Sequence, residues 1–151
     1  MVLAKVNDGS YNLVLMLHIV AVIVAFAPAV VHPLMGAKVD KEDGEAGTVR
    51  FSQHASFLGR RVYFPSLIVA GLLGFALVAL SDPAFSFSDM WVLLGIANWV
   101  VIAGLVSGGI LPAERKVAAG DVAANKRVIM FGQITTLFIF TQLYLMVFKP
   151  T

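Results

Sequence analysis

Histidine is the residue type in this sequence best suited to chemistry, because its imidazole ring can relay a proton or ligate a haem iron near neutral pH. The chain has three histidines, and only His18 falls inside a long apolar run. An ionisable side chain at that depth in a membrane is a functional candidate by default. His18 is therefore the first candidate, either as a ligand of haem b or as a hydrogen-bonding group between helices.

The other two histidines are weaker candidates for haem or metal binding. His32 follows His18 by fourteen residues, which returns it to nearly the same helix face ~21 Å further along the axis. That spacing is typical of paired haem ligands on one helix of b-type cytochromes. His54 could approach His32 at the cytoplasmic surface and form a single site there. For both residues, however, the sequence favours an interfacial histidine in the lipid headgroup zone.

No set of catalytic residues accompanies these histidines. The chain has no cysteine, which excludes disulfides, thiolate chemistry and cysteine-ligated clusters. P-loop, GxGxxG, HExxH and GxSxG patterns are absent, and the acidic run at 40–45 does not fit an EF-hand loop. The sequence therefore leans against an enzyme, predicts no metal site outside the histidines, and leaves haem b as the candidate cofactor.

Four long apolar runs must position these side chains. They cover about residues 11–31, 62–80, 90–111 and 128–148, each near the ~20 residues that a helix needs to cross a bilayer core. Because hydrocarbon offers no hydrogen bonds to the backbone, such runs should be helical. The 151 residues are 59% hydrophobic and 13% charged. The sequence thus predicts a single membrane domain, residues 1–151, folded as an all-α, antiparallel bundle of four transmembrane helices.

Basic residues are concentrated in two of the connections between these runs. Nine Lys and Arg fall at 32–61 and 112–127, none falls at 81–89, and each terminus has one. The positive-inside rule then places both basic loops in the cytoplasm and both termini outside. We expect residues 47–61 to form a short amphipathic cytoplasmic segment before the second span, with Arg60 and Arg61 reaching lipid headgroups. The net charge of +2 gives no reason to expect nucleic acid as a partner.

Three polar side chains from different spans fall at one depth. His18, Asn98 and Gln142 each lie ~4–6 Å outward of the middle of their spans, at 1.5 Å per residue. We expect an interhelical hydrogen-bond cluster there, as membrane helices commonly form. Small residues should also let neighbouring helices approach closely. The glycines predicted to serve in this way are Gly71, Gly74, Gly104 and Gly108.

Three short motifs carry a resemblance to known proteins. They are the opening L-H-x-x-x-A-x-x-x-A-F-x-P from Leu17, the paired Arg60 and Arg61, and the closing M-V-F-K-P at 146–150. On these motifs, essentially the whole chain resembles an uncharacterised family of small bacterial four-helix integral membrane proteins. More distantly, the early histidine resembles those of copper-resistance D and small haem-binding membrane proteins. That resemblance implies only His18 as a ligand.

These features favour an integral protein of the bacterial plasma membrane without a catalytic site of its own. We expect it to act as a structural or accessory subunit of a larger membrane complex, respiratory or otherwise bioenergetic. Its expected partners are membrane lipid and either other membrane-protein subunits or further copies of itself. Two alternatives stay open: a haem b- or metal-associated redox protein that uses His18, and a small transporter or channel component.

Overall fold

The computed structural model describes residues 8–81 and 84–150. Within these ranges the chain is helical and contains no strand. The helices form three long segments, Gly9–Leu80 with 72 residues, Met90–Ala118 with 29 and Val122–Phe148 with 27. Each of the three is long and apolar enough to cross a membrane.

The predicted bundle of four separate transmembrane helices is wrong. The runs predicted as spans at 11–31 and 62–80 belong to one helical segment, Gly9–Leu80, together with everything between them. The amphipathic segment predicted at 47–61 is part of the same helical segment. The mixed charges at 38–45 suggested a loop, but Lys and Glu are also good helix formers. That both termini lie outside the membrane stays a prediction.

The first segment bends sharply at Gly44. This residue has φ +59° and ψ −146°, a conformation that is essentially restricted to glycine. The hydroxyl proton of Thr48 is shared between the Asp40 carboxylate at 3.0 Å and the Gly44 carbonyl at 3.2 Å. Arg50 donates to the carboxylate of Asp43 at 3.0 Å. These contacts hold the turn between a first arm (residues 9–43) and a second arm (residues 45–80).

The two arms pack against each other along their length. Near the turn, Gly36 lies against the ring of Phe51. Far from the turn, the His18 ring lies 2.8 Å from the Ala70 carbonyl oxygen and packs against Gly74. The chain therefore reverses direction at Gly44, and a single helical segment supplies two antiparallel walls of the molecule.

Two of the segments contain a π-helical turn. One is Gly59–Tyr63 in the second arm, and the other is Val106–Ile110 in the second segment. Such turns widen a helix locally and are frequent at functional sites. A 3₁₀ turn, Val122–Ala124, opens the third segment. The α-helices in chain order are α1 (Gly9–Leu58), α2 (Phe64–Leu80), α3 (Met90–Leu105), α4 (Leu111–Ala118) and α5 (Asn125–Phe148).

The buried core joins all three segments at mid-height. Leu67 of the second arm, Ile102 of α3 and Ile139 of α5 form a cluster that Trp99 and Phe138 extend. Many large apolar side chains elsewhere point away from this core, such as those lining the outer face of α5. Outward apolar surface on all three segments is what a lipid environment requires.

The molecule has two distinct ends. At one end the turn at Gly44 lies beside the connection between the second and third segments, where Gln53 donates a hydrogen bond to the Ala118 carbonyl at 3.3 Å. We call this the basic end, because the nine basic residues of 32–61 and 112–127 surround it. At the opposite end the Lys149 ammonium lies 4.2 Å from the centre of the Phe85 ring. The connection 81–89 is at this end, and its residues 82 and 83 lie outside the described ranges.

Candidate functional site

A cavity of about 700 Å³ extends from the core to the basic end, between all three segments. Its lining residues on the first arm run from Ala25 to Asp40, and those on α5 run from Asn125 to Ile139. At 1.5 Å per residue, each of these stretches is ~20 Å long. The cavity is therefore elongated along the helices that line it.

The walls of this cavity change in character along its length. The inner part is lined by Ala25, Leu67 and Ile139, which are apolar. The outer part, towards the turn at Gly44, is lined by Asp40 and Ser52 together with other polar side chains. A cavity with an apolar inner part and a polar mouth suits a ligand that has a hydrocarbon body and one polar end.

Glu114 is the most deeply buried carboxylate in the described part of the chain, with 3% of its surface exposed. It lies on α4 between Leu111 and Val117, which are three residues away on either side and also buried. Residues at this spacing share one helix face, so the packing of Leu111 and Val117 turns Glu114 inward. The next residue, Arg115, is exposed on the other face of α4.

His32 is the titratable neighbour of Glu114 inside the cavity. Its Nδ1 lies 3.8 Å from Oε1 of Glu114, which is too long for a hydrogen bond. Among the residues that the structure describes, none donates a hydrogen bond to this carboxylate. Removing a carboxylate from water without a close partner costs several kcal/mol. The site thus holds a buried acid whose hydrogen-bonding capacity is largely unused.

Two aromatic side chains of the second arm lie beside His32. The Phe51 ring lies edge-on to the imidazole with a centroid distance of 5.4 Å, and the Tyr63 ring does so at 5.7 Å. Both rings line the cavity, and Tyr63 belongs to the π-helical turn Gly59–Tyr63. Gly59 opens that turn directly beside the α4 helix, where an added Cβ would meet Leu111. The absence of a side chain at Gly59 lets the second arm approach the face that carries Glu114.

Thr135 of α5 contributes an unpaired hydroxyl to the same cavity. The residue is 5% exposed, and within the described part of the chain its Oγ1 has no hydrogen-bond partner. Native structures leave few buried polar atoms unsatisfied, and each one calls for an explanation such as a bound molecule. Its neighbour Thr136 is satisfied, because its hydroxyl donates to the Gly132 carbonyl at 2.9 Å.

The structure places His18 away from this cavity. A carbonyl oxygen only accepts hydrogen bonds, so the 2.8 Å contact with Ala70 means that Nδ1 of His18 carries the proton and donates. The Nε2 atom then keeps its lone pair, as in histidines that ligate metals and donate from the other ring nitrogen to a backbone carbonyl. Ligation of haem b by His18 stays a prediction.

The expected polar level is present but is divided into separate bonds. Asn98 donates to the side-chain oxygen of Gln142 at 2.6 Å and to the Phe138 carbonyl at 2.9 Å. The bond of His18 goes instead to the first segment itself, at Ala70. A fourth bond was not predicted from the sequence: Trp99 donates from its indole nitrogen to the Leu67 carbonyl at 3.0 Å.

The remaining predicted site residues are scattered. His54 is exposed on the second arm, as are Arg60 and Arg61, and their contact with lipid headgroups stays a prediction. The described residues contain no group of three His, Cys, Asp or Glu side chains close enough to hold a metal ion.

The four glycines predicted to allow close packing differ in what lies beside them. Gly71 faces the Trp99 indole and Gly74 faces His18, whereas Gly104 and Gly108 have open space beside them. The sequence analysis overlooked Gly109, against which the Phe131 ring packs.

Two residues of the cavity were also missed from the sequence. Glu114 stands in the charged connection at 112–127, where its position three residues from both Leu111 and Val117 marks the buried face of a helix. Thr135 is one of several polar residues in the apolar run 128–148. Nothing in the sequence distinguishes it from Thr136, because the difference lies in which hydroxyl finds a carbonyl.

No family model, characterised protein or solved structure matches this chain. The resemblance to a family of small bacterial membrane proteins therefore stays a prediction, and the function has to be argued from the cavity.

Proposed function

We propose that this protein is an integral protein of the bacterial plasma membrane that binds one elongated lipophilic molecule in the cavity at its basic end. Three helices have the length and composition to cross a bilayer. The clustering of nine basic residues around one end favours the cytoplasmic side for that end, with residues 112–127 and the turn at Gly44 facing the cytoplasm.

The cavity itself is the observation that supports binding. Its volume of about 700 Å³ falls within the usual range for small-molecule sites, roughly 300–1,000 Å³. Its elongated shape, with a lining that extends ~20 Å along two helices, suits a long molecule. The unpaired hydroxyl of Thr135 and the buried carboxylate of Glu114 are polar groups that a bound molecule could satisfy.

The position of the cavity relative to the bilayer indicates where such a molecule comes from. The first arm, residues 9–43, is ~50 Å long at 1.5 Å per residue, whereas the hydrocarbon core is ~30 Å thick. The basic end therefore extends beyond the hydrocarbon, with the polar mouth of the cavity near the headgroups. The apolar inner part, around Ile102 and Ile139, lies within the hydrocarbon. A ligand with a hydrocarbon body would enter from the membrane.

Binding of radiolabelled dodecanol to the protein in a non-ionic amphipol tests this proposal. We expect one displaceable dodecanol per chain, measured by scintillation proximity. Ala29 lines the cavity, so Ala29→Phe should fill part of it and weaken binding at least tenfold. Ala97→Phe is the matched control, because Ala97 is exposed and does not line the cavity. Unsaturable binding, or equal binding by the two variants, would contradict the proposal.

The other expected functions stay predictions. The outward apolar surface suits lipid and subunits equally well, so a role as an accessory subunit rests on the sequence alone. Haem binding at His18 is favoured by the proton position on its ring, which leaves Nε2 as a free acceptor. A Soret band in protein purified from its native membrane would support that alternative.

A further inference from the structure

The Lys and Arg side chains at the basic end lie on its surface, together with the carboxylates of Glu42, Asp43, Glu45 and Asp121. All nine basic residues there are exposed. By contrast, the described residues that line the cavity include two carboxylates, Asp40 and Glu114, and neither Lys nor Arg. The helix α4 shows the separation within one turn, with Glu114 inside and both Arg115 and Lys116 outside. The cavity lining thus has carboxylates and no Lys or Arg, whereas the surface around it carries both signs of charge.

Glu114 lacks the close partner that a buried carboxylate needs. The His32 ring nitrogen is 3.8 Å away, and the hydroxyl of Thr48 at the mouth is already committed to Asp40. A buried acid of this kind is stabilised by a positive charge or by strong hydrogen-bond donors brought in by a ligand. An anionic head would be repelled by the same group.

Aromatic rings add a second feature that favours positive charge. Phe51 and Tyr63 line the cavity around His32, which is itself the neighbour of Glu114. The faces of aromatic rings attract ammonium groups, and pairs of rings beside a carboxylate recognise alkylated amines. Glu114 and both rings lie beside His32, which is midway along the first-arm lining that runs from Ala25 to Asp40. A head group held there leaves the apolar inner part of the cavity for the tail of an elongated ligand.

We propose that the ligand is a lipophilic cation, with an ammonium head beside Glu114, Phe51 and Tyr63 and an apolar tail along Ile102 and Ile139. This inference rests on the proposed function and specifies the chemistry of the same cavity. The ammonium head belongs either to a free amphiphilic amine or to an aminolipid of the bilayer, and these two sources share the chemistry that the cavity recognises.

Three probes that share a tail and differ in head group show whether binding depends on the charge of the head group. Dodecyltrimethylammonium, dodecanol and dodecanoate are titrated against the protein in a non-ionic amphipol. We expect dodecyltrimethylammonium to bind at least tenfold more tightly than dodecanol, and dodecanoate to bind most weakly. Equal or tighter binding of dodecanol or dodecanoate overturns the cation proposal and leaves the proposed function standing. Binding of none of the three overturns the proposed function.

Matched variants assign the preference to Glu114. Glu114→Gln should weaken dodecyltrimethylammonium binding at least tenfold and leave dodecanol binding unchanged. Glu42→Gln makes the same chemical change at an exposed residue outside the cavity and should alter neither. Phe51→Leu keeps an apolar side chain in the cavity but removes an aromatic ring. It should weaken the binding of dodecyltrimethylammonium several-fold and leave dodecanol binding unchanged. This variant tests the inference even if Glu114→Gln does not fold. If Glu114→Gln and Phe51→Leu both bind dodecyltrimethylammonium as tightly as the unmodified protein, the inference of a cationic ligand is overturned.

Adding lipids to the same assay distinguishes the two sources of the head group. If an aminolipid is the source, phosphatidylethanolamine should displace dodecyltrimethylammonium and phosphatidylglycerol with the same tails should not. If a free amine is the source, neither lipid should displace it. Displacement by phosphatidylglycerol alone would contradict the proposal, because that headgroup is anionic.

Discussion

Two polar regions of this protein are built from similar residue types and treat their polar atoms in opposite ways. In the level formed by His18, Asn98 and Gln142, each side chain makes a hydrogen bond of 2.6–2.9 Å to a neighbouring helix. In the cavity, Glu114 has only a 3.8 Å contact with His32, and Thr135 has an unpaired hydroxyl.

The polar groups of the level hold helices together, whereas the polar groups of the cavity are available to a ligand. Each bond of the polar level connects two walls of the molecule, so its residues contribute to stability in the absence of any ligand. The cavity groups contribute little in that way and carry a desolvation cost instead. We therefore expect substitutions at the polar level to change stability, and those in the cavity to change binding.

The largest effect on stability should come from Gly71, on which the Trp99 ring packs. A Cβ there overlaps the indole, so Gly71→Leu should push Trp99 away from its bond to the Leu67 carbonyl and destabilise the protein by about 3 kcal/mol. Gly104→Leu is the matched control, because open space lies beside Gly104. The melting temperatures of both variants are measured by circular dichroism during heating. Equal melting temperatures for the two variants would show that the Trp99 contact does not hold the helices together.

A smaller effect is expected at Asn98. Asn98→Leu removes the donor to Gln142 and leaves a buried amide without its partner, which should cost about 1–2 kcal/mol. Replacing both Asn98 and Gln142 by Leu removes the unsatisfied group as well, and should restore part of that loss. Unfolding in sodium dodecyl sulfate gives the three free energies. A double variant less stable than Asn98→Leu would contradict the assignment of this bond as structural.

The sequence predicts one common level for Asn98 and Gln142, for a simple geometric reason. A helix rises 1.5 Å per residue, so the depth of Asn98 and Gln142 follows from counting along two apolar runs. Their 2.6 Å hydrogen bond agrees with that depth. The same counting could not show that His18 bonds to a backbone carbonyl, because it gives depth and not the rotation of each helix.

The turn at Gly44 and the cavity could not be predicted by counting residues along the apolar runs. At 38–45, local charge suggested a loop, whereas the helix continues on both sides of Gly44 and only that residue leaves helical geometry. Glu114 and His32 are brought together by the packing of α4 on the first segment, a contact far apart in sequence. Whether Thr135 or Thr136 finds an acceptor depends on side-chain rotation. Tertiary packing, rather than local pattern, determines all three.

The smallest effect on stability is expected at Thr135, and it separates the two regions most directly. Thr135→Val replaces a hydroxyl that makes no hydrogen bond in the described structure by a methyl group of similar size. Stability should therefore change by less than about 0.5 kcal/mol, or increase, because an unsatisfied buried group is removed. Thr136→Val is the control: it deletes a 2.9 Å bond to the Gly132 carbonyl and should cost about 0.5–1 kcal/mol. If Thr135→Val is instead the more destabilising of the two in heating experiments, its hydroxyl already has a partner in the protein, and the contrast between a bonded level and a vacant set of polar groups does not hold at this residue.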